Sequence, residues 1–438
     1  MDGAGGGEPL PEAVAGEAGV QRGVEKSGER GGWLSRHAID VRPLRHPAYR
    51  RLFIGSAVSF FGYQFTAVAV PVQMFALTHS SAWVGYLGIA GLVPLLIFAL
   101  WGGAVADAFD RRLVLLASSL LMWVSTLGLL AQGVLGARSP ALLLVLVAVQ
   151  SVAFAVSAPT RSAIVPRLLP DDEVAAGNTL NYTMSNVATV AGPLGAGLVL
   201  AHFPIAAAYG IDAALFAVVL WAALRLPRLS PETTKRTTGG LRDVMFGLRY
   251  LATTPVLLLS FAIDIAAMVL ALPRALFPQV ASDRFGGIGA VGWLFSAIAI
   301  GSVVAGLTSG WIGRVRRQGV ALIAAVVVWG LAVAAAGLAH SLWLAVLLLA
   351  LGGAADLVSA VYRQTMLQTY APDELRGRMQ GVFTAVVAGG PRLGDLRAGL
   401  MAPAFGLTFS WVGGGIAAAV VAIALGVAFP ALRRYTVR

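Results

Sequence analysis

The chain has 438 residues, of which 58% are hydrophobic and 12% carry a charge, and its mean hydropathy is +0.79. A soluble domain carries about 25% charged residues, so this composition indicates a membrane protein. The absence of cysteine excludes disulfides and thiolate metal sites, and the five histidines show no metal-ligand spacing. The formal charge of +11 could suggest nucleic acid. Because the arginines lie between apolar segments, we interpret them as topology signals in contact with anionic lipid, and we expect no nucleic-acid partner.

The first residues form a separate, polar region. Residues 1–32 are rich in glycine, alanine and glutamate and show no apolar periodicity, which is typical of a disordered segment. The stretch from Trp33 to Arg51 is basic and could lie along a membrane surface. We therefore predict a cytoplasmic tail over residues 1–50, disordered in its first part and basic in its second, without the apolar core of a signal peptide.

Apolar segments of about 20–25 residues, long enough to cross a bilayer, recur along the rest of the chain. We predict twelve spans, at 52–77, 83–106, 113–136, 141–165, 174–201, 205–226, 256–280, 288–312, 319–339, 342–366, 378–403 and 407–430. Arginines are concentrated in every second short loop and in the tail from 432 to 438. The positive-inside rule then places both termini in the cytoplasm. The even number of spans agrees with that topology.

A longer loop divides the spans into two groups of six. Residues 230–240 are polar, and apolar residues recur at helical spacing from Leu241 to Leu251. We predict a cytoplasmic linker over 227–254 that contains an amphipathic helix on the membrane surface. It separates a first six-helix bundle, 51–226, from a second, 255–431. The fold class is therefore an all-α membrane protein.

The two bundles also resemble each other in sequence. Arg161 precedes a Pro-Asp-Asp stretch at Pro170, and Arg363 precedes a Pro-Asp-Glu stretch at Pro372. Both pairs are 202 positions apart (363 − 161 and 372 − 170). This indicates two six-helix pseudo-repeats.

The loop after span two carries a recognisable motif. Gly103, Asp107, Arg111 and Arg112 resemble the pattern Gly-x-x-x-Asp-Arg/Lys-x-Gly-Arg-Arg/Lys between the second and third helices of the major facilitator superfamily. Two of its positions differ, because an alanine follows the acid and Asp110 replaces the second glycine. The resemblance implies alternating access, with a substrate cavity between the halves near mid-membrane.

We predict a cytoplasmic gate from this motif and from Arg161 and Arg363. The two arginines could be plain helix-end charges. We favour a version in which they pair with acids of neighbouring loops and latch one state of the cycle.

Span five contains Gly192, Pro193, Gly195 and Gly197, which are similar to the Gly-Pro-x-x-Gly-Gly motif of antiporters. A kinked helix with close contacts would suit a hinge or a seal, and ordinary glycine packing is the alternative.

Several stretches resemble one particular branch of the superfamily. The segments at 46–50, 69–73, 78–80, 365–369 and 377–381 are similar to the enterobactin exporter family, a siderophore-exporting branch of the superfamily. The same branch contains macrolide and multidrug efflux pumps, so the resemblance leaves the substrate open.

Ionisable residues inside the predicted spans are costly and are functional by default. Asp264, Asp356 and Asp395 are our candidates for proton coupling, because a buried carboxyl can be neutral in one state and ionised in another. Asp264 and Arg274 lie about 15 Å apart along a helix, too far to pair. Arg274 could snorkel outwards. Arg392 and Asp395 are three residues apart and can pair on one helix face.

Polar residues elsewhere could line the cavity. Our candidates are Tyr63, Gln64 and Gln73 in span one, Gln150 in span four, and Arg392, which could attract an anionic substrate. Many proton antiporters carry an arginine within span four, whereas residues 149–152 of this span contain none. Asp212 in span six is more simply explained as a hydrogen-bonding group that fixes helix packing.

The sequence contains no phosphate-binding loop, nucleophile elbow or metal cluster, so we expect neither an enzyme nor a cofactor. We predict a monomeric inner-membrane exporter that couples protons to a siderophore-like or amphipathic small molecule. Multidrug efflux is the close alternative. A sensor or accessory subunit that moves no solute is the alternative of another class, and uptake is a third option.

Overall fold

A computed structural model describes residues 40–229, 249–370 and 376–436, apart from the side chains at 99–104, 106–108, 376–378 and 381–382. The predicted tail up to residue 39, most of the predicted linker with its amphipathic helix, and the last two residues lie outside this description. The helices of the first half are α1 (Pro47–Thr78), α2 (Ser81–Ala108), α3 (Arg111–Val134), α4 (Pro140–Leu168), α5 (Asp171–His202) and α6 (Ile205–Leu224). Those of the second half are α7a (Pro255–Ala271), α7b (Phe277–Arg284), α8 (Gly289–Leu307), α9 (Gln318–Leu338), α10 (Leu342–Tyr370), α11 (Arg376–Phe405) and α12 (Gly414–Ala428, preceded by a π-helical turn, Phe409–Gly413).

The helices follow the hydrophobic segments of the sequence to within a few residues, with one difference at the start. Residues Arg42–Arg45 form a 3₁₀ turn, and α1 already begins at Pro47, where a proline costs no hydrogen bond. The predicted tail over residues 1–50 therefore overlaps the start of the fold, because the chain is helical at Arg42–Arg45 and again from Pro47. The Tyr49 hydroxyl donates to the Gly177 carbonyl at 2.7 Å, which ties this start to α5.

Eleven helical segments in the described part of the chain are long and apolar enough to cross a membrane. The remaining long helix, α11, packs on α2 and α7a and carries Arg392, Asp395 and Arg397 in its middle. With α11, the described residues contain the twelve predicted spans. They contain helices and no strands.

Span seven is broken rather than continuous. α7a ends at Ala271, a 3₁₀ turn runs from Arg274 to Leu276, and α7b follows. Pro273 at the break has no N–H with which to continue the helical ladder. Arg397 of α11 donates to the freed carbonyls of Val269, at 3.2 Å, and Leu270. The break places Arg274 beside α11.

The two halves meet through two pairs of helices, α2 with α11 and α5 with α8. These are the second and fifth helices of each half, as expected for two pseudo-repeats. A Cβ on Gly399 would lie 2.4 Å from the Ser81 carbonyl, and a Cβ on Gly292 would lie 2.4 Å from the Pro193 carbonyl. The halves therefore touch backbone to backbone at these points. We call the side where α1 begins the termini face and the other side the opposite face; the glycine contacts lie towards the opposite face.

Candidate transport cavity and buried charges

A cavity of about 660 Å³ lies between the halves. Its charged, amide and phenol side chains come from α1, α4, the break in span seven and α11, and are Tyr63, Gln64, Gln150, Arg274, Arg392 and Asp395. Aromatic and aliphatic side chains, including Phe60, Phe154 and Phe295, form much of the remaining wall. The site can therefore hold an amphipathic molecule and present cations to its polar end.

A second volume of about 290 Å³ extends this cavity towards the termini face. The two volumes share Phe60, Tyr63 and Phe154 as lining residues. The second reaches Leu52 near the start of α1 and Arg161 near the end of α4. Together with the glycine contacts at the opposite face, this describes a transporter that is open towards its termini face.

The charges of the central cavity pair differently from the sequence-based expectation. Arg274 lies 3.6 Å from Asp395, so it does not snorkel outwards. The expected Arg392–Asp395 pair is replaced by this contact. Arg392 reaches across to the first half and donates to the Gly91 carbonyl of α2. The break in span seven explains the difference, because it turns Arg274 towards α11.

A second group of charges lies within the second half. Arg363 of α10 contacts Asp264 of α7a, and both side chains are only 4% exposed. Arg363 also lies 3.9 Å from Asp356, whose side chain is 30% exposed. Asp356 and Arg363 are seven residues apart on α10, which places them on roughly the same helix face. Among the described residues, the partners of Arg363 are these two intramembrane carboxylates. The acids of the loop after α10, which the sequence offers as its partners, lie outside the described residues.

The predicted gate is only partly described. Positions 103 and 107 lie in the part of α2 whose side-chain environment is not described. Arg111 donates to the Ala163 carbonyl at 3.1 Å and Arg112 to the Leu224 carbonyl at 2.6 Å, so both anchor the start of α3. Arg161 donates to Ser157 at 3.3 Å. None of the acids whose side chains are described lies within 4.0 Å of Arg161.

Four of the five predicted cavity residues line the central cavity: Tyr63, Gln64, Gln150 and Arg392. Gln73 does not line either of these two volumes. It is buried, and its Oε1 accepts a hydrogen bond from Tyr209 at 2.6 Å. A partner on α6 therefore holds Gln73 in the helix packing, apart from these two volumes.

The glycines of span five have separate packing partners. A Cβ on Gly192 would meet Gln64 at 2.4 Å, and one on Gly195 would meet Phe65 at 3.1 Å. Gly197 lies against Gly292 of α8, and Pro193 lies within an uninterrupted α5 and lines the cavity. This geometry resembles a seal more than a hinge.

Sequence reasoning missed several lining residues. Asn178, Asn181 and Ser185 of α5 line the volume near the termini face. Their spacing of three and four places them on one helix face, so a search for a polar stripe on an apolar helix would have found them.

The family model for transmembrane secretion effectors, MFS_3, matches residues 38–435. The chain belongs to this family of the major facilitator superfamily. Its fold and its relatives are those of transporters, so it is a multi-pass membrane transporter and not an enzyme.

Two similar curated proteins are both named enterobactin exporter EntS. The enterobactin exporter EntS of Shigella boydii serotype 18 is 30% identical over 359 residues, which is 80% of this chain and 84% of that protein. EntS of Escherichia coli O81 matches with the same identity and coverage.

Solved structures confirm the fold. The nucleoside transporter NupG has a TM-score of 0.72 at 16% identity, covering 89% of this chain and 99% of its own. A D-xylose–proton symporter has a TM-score of 0.68 at 12% identity, with coverage of 90% and 100%. At these identities the likeness shows the fold alone.

Proposed function

We propose that this transporter exports a siderophore-like or similar amphipathic small molecule from the cytoplasm, and that it does so by proton antiport with alternating access. The observation that carries the proposal is the central cavity, whose apolar wall ends at Arg274, Arg392 and Asp395. With Asp395 ionised, these groups carry one net positive charge, which suits a substrate with an aromatic body and anionic oxygens. The likeness to proteins named enterobactin exporters supports the same substrate class.

The Arg363 cluster supplies the coupling site. Two carboxylates and one guanidinium carry a net charge of minus one when both acids are ionised, which is unfavourable in a membrane interior. One proton makes the cluster neutral. Asp264 is buried directly against Arg363, whereas Asp356 is more exposed and lies at 3.9 Å. We therefore assign the exchanging proton to Asp356 and the structural ion pair to Asp264 and Arg363.

The arrangement in the cell follows from the loop arginines. The termini face lies in the cytoplasm, the protein resides in the cytoplasmic membrane, and the open cavity receives substrate from inside. We retain two six-helix bundles joined by a cytoplasmic linker, with the first bundle beginning at Pro47. A single chain contains the whole cavity, which supports a monomeric transporter.

Transport in everted membrane vesicles with an imposed pH gradient tests the proposal. The panel contains catecholate and hydroxamate siderophores beside dyes and macrolides. Gradient-dependent accumulation of siderophores is the expected result. Accumulation of dyes and macrolides alone would overturn the substrate class, and accumulation that ignores the gradient would overturn proton antiport.

Multidrug efflux is the second candidate. Phe60, Phe154 and Phe295 give the cavity an aromatic wall that could stack on many flat apolar compounds. The macrolide and dye arms of the same experiment distinguish it from the siderophore proposal.

A further inference from the structure

Asp212 of α6 is a buried acid that the proposed transport cycle does not use. Asp212 is only 1% exposed. Oδ2 accepts a hydrogen bond from the Thr66 hydroxyl of α1 at 2.5 Å and a longer one from the Thr126 hydroxyl of α3 at 3.5 Å. Oδ1 has no hydrogen-bond partner among the described residues. This carboxyl therefore receives few of the bonds that an ionised carboxylate requires.

No counter-charge is available to Asp212 from the helices packed around it. α6 packs on α1, α3 and α5. The segments 52–78, 113–134 and 174–201 of those helices contain no lysine, arginine, aspartate or glutamate, and residues 140–160 of α4 contain none either. The titratable groups on the facing stretches are tyrosines, Tyr63 on α1 and Tyr182 on α5, with Tyr209 on α6 itself bonded to Gln73. An ionised Asp212 would thus be a buried charge without a partner, which is costly.

A metal cation is a poor occupant of this position. A Cβ built on Gly62 would lie 2.9 Å from Oδ1 and 3.1 Å from the Leu215 Cβ. The free oxygen therefore faces packed carbon, where an ion would need several oxygen ligands. A proton needs no such shell, and the 2.5 Å separation of Oδ2 from the Thr66 hydroxyl is short enough for a strong O–H···O bond.

Two polar routes connect Asp212 with the central cavity. Thr66 lines that cavity and bonds directly to the carboxyl. Gln150 also lines it, and its Nε2 donates at 3.1 Å to Thr126, whose hydroxyl faces the carboxyl. A hydroxyl both donates and accepts, so Thr66 can pass a proton between cavity water and the carboxyl.

We propose that Asp212 is a proton-binding site of the first half, loaded from the central cavity through Thr66, with the Gln150–Thr126 pair as a second polar connection to that cavity. This inference rests on the proposed function in one respect: a proton-driven transport cycle would give a protonated Asp212 a functional role. The site joins α1, α3 and α6, so loss of its proton would leave a charge between three helices and loosen their packing. Each half of the transporter then holds its own acid, Asp212 in the first and Asp356 in the second.

Infrared difference spectroscopy of the full-length protein in lipid vesicles tests the proposal without substrate or gradient. The wild type is compared with Asp212→Asn at neutral pH, and Asp283→Asn, at an exposed acid of α7b, is the matched control. We expect the carbonyl band of a protonated carboxylic acid to be lost in Asp212→Asn and kept in the control. Loss of carboxylate bands instead, or no change in either region, would overturn the proposal.

Thr66→Val provides a second measurement that does not depend on the Asp212 variant folding. The protonated-acid band should remain but shift in frequency, and its exchange in heavy water should slow several-fold, because the direct relay is removed. An unchanged band with unchanged exchange would refute the relay, and a band that responds to sodium at fixed pH would replace the proton by that ion. These spectroscopic measurements involve no transport. Their outcome can therefore be interpreted even if the vesicle experiment shows no proton antiport.

Discussion

At the scale of single residues, Arg363 explains why three charges persist inside one half of the transporter. It contacts Asp264 directly and lies within 3.9 Å of Asp356. A buried ion pair contributes little net stability relative to apolar residues, but removing one partner is strongly destabilising. The arginine therefore holds one carboxylate permanently and leaves the other able to exchange a proton.

Asp356→Asn tests that division of roles. We expect export driven by a pH gradient to fall by about tenfold or more, equivalent to about 1.4 kcal/mol of lost coupling, because the amide cannot release a proton. Substrate binding should persist. Flux in vesicles at several external pH values measures the effect, with Asp283→Asn as the exposed control. A variant with normal dependence on the gradient would remove Asp356 from the coupling step.

Arg363→Met tests the structural pair. Leaving Asp264 buried without its partner should cost about 3–5 kcal/mol of folding stability, seen as a lower melting temperature in detergent. The double variant with Asp264→Asn should recover most of that loss, since the unpaired charge is gone. A double variant no more stable than Arg363→Met would show that the guanidinium stabilises the fold in another way.

At the scale of helices, the seal at the opposite face depends on glycines, whose lack of a Cβ lets the backbones of neighbouring helices touch. Gly292→Ala would place a Cβ 2.4 Å from the Pro193 carbonyl, so α5 and α8 must separate. Such overpacking costs about 1–3 kcal/mol and should bias the transporter towards opening at that face. A cysteine introduced in place of Ser151, which lines the cavity, should then react with an impermeant thiol reagent added from the opposite face. We expect this reaction to be faster than in a parent that carries the cysteine but keeps Gly292.

Gly310→Ala is the matched control, because a Cβ there would meet nothing within 4 Å. Its labelling rate should equal that of the parent carrying the Ser151 cysteine alone. Equal rates in the Gly292 variant as well would mean that this glycine does not hold the face closed.

Helix positions were predictable from the sequence because each bilayer crossing needs its own apolar run. The break in span seven was not. Pro71, Pro94 and Pro193 lie inside continuous helices, and Pro273 alone among these four lies at an interruption. Only the neighbouring helix, which supplies bonds to the freed carbonyls, distinguishes the two outcomes.

The same limit applies to the candidate site. Spacing along one helix can indicate only that Asp356 and Arg363 share a face of α10, since they are seven residues apart. The partner of Asp264 lies almost a hundred residues away in sequence, and the alternative bond of Arg392 is to a backbone carbonyl of the other half. Such contacts follow from tertiary packing, which no local pattern encodes.

At the scale of the whole molecule, the chain offers a direct test of its orientation because it contains no cysteine. Arg138 and His340 lie in exposed loops of the opposite face, and Arg316 lies in an exposed loop of the termini face. Each is replaced singly by cysteine. In intact cells we expect an impermeant thiol reagent to label the first two and to label the third only after permeabilisation. The reverse pattern would invert the proposed topology and favour uptake.

The charges of α11 also affect how the protein is assembled. On insertion scales, each arginine or aspartate at a helix centre costs about 2.5–3.5 kcal/mol, and α11 carries three such residues near its middle. Alone, it would partition poorly from the translocon into lipid. Arg397 finds its carbonyl partners on the broken span seven, and Asp395 finds Arg274 there. Biogenesis of the second half is therefore a cooperative step, in which α11 leaves the translocon only together with helices made more than a hundred residues earlier.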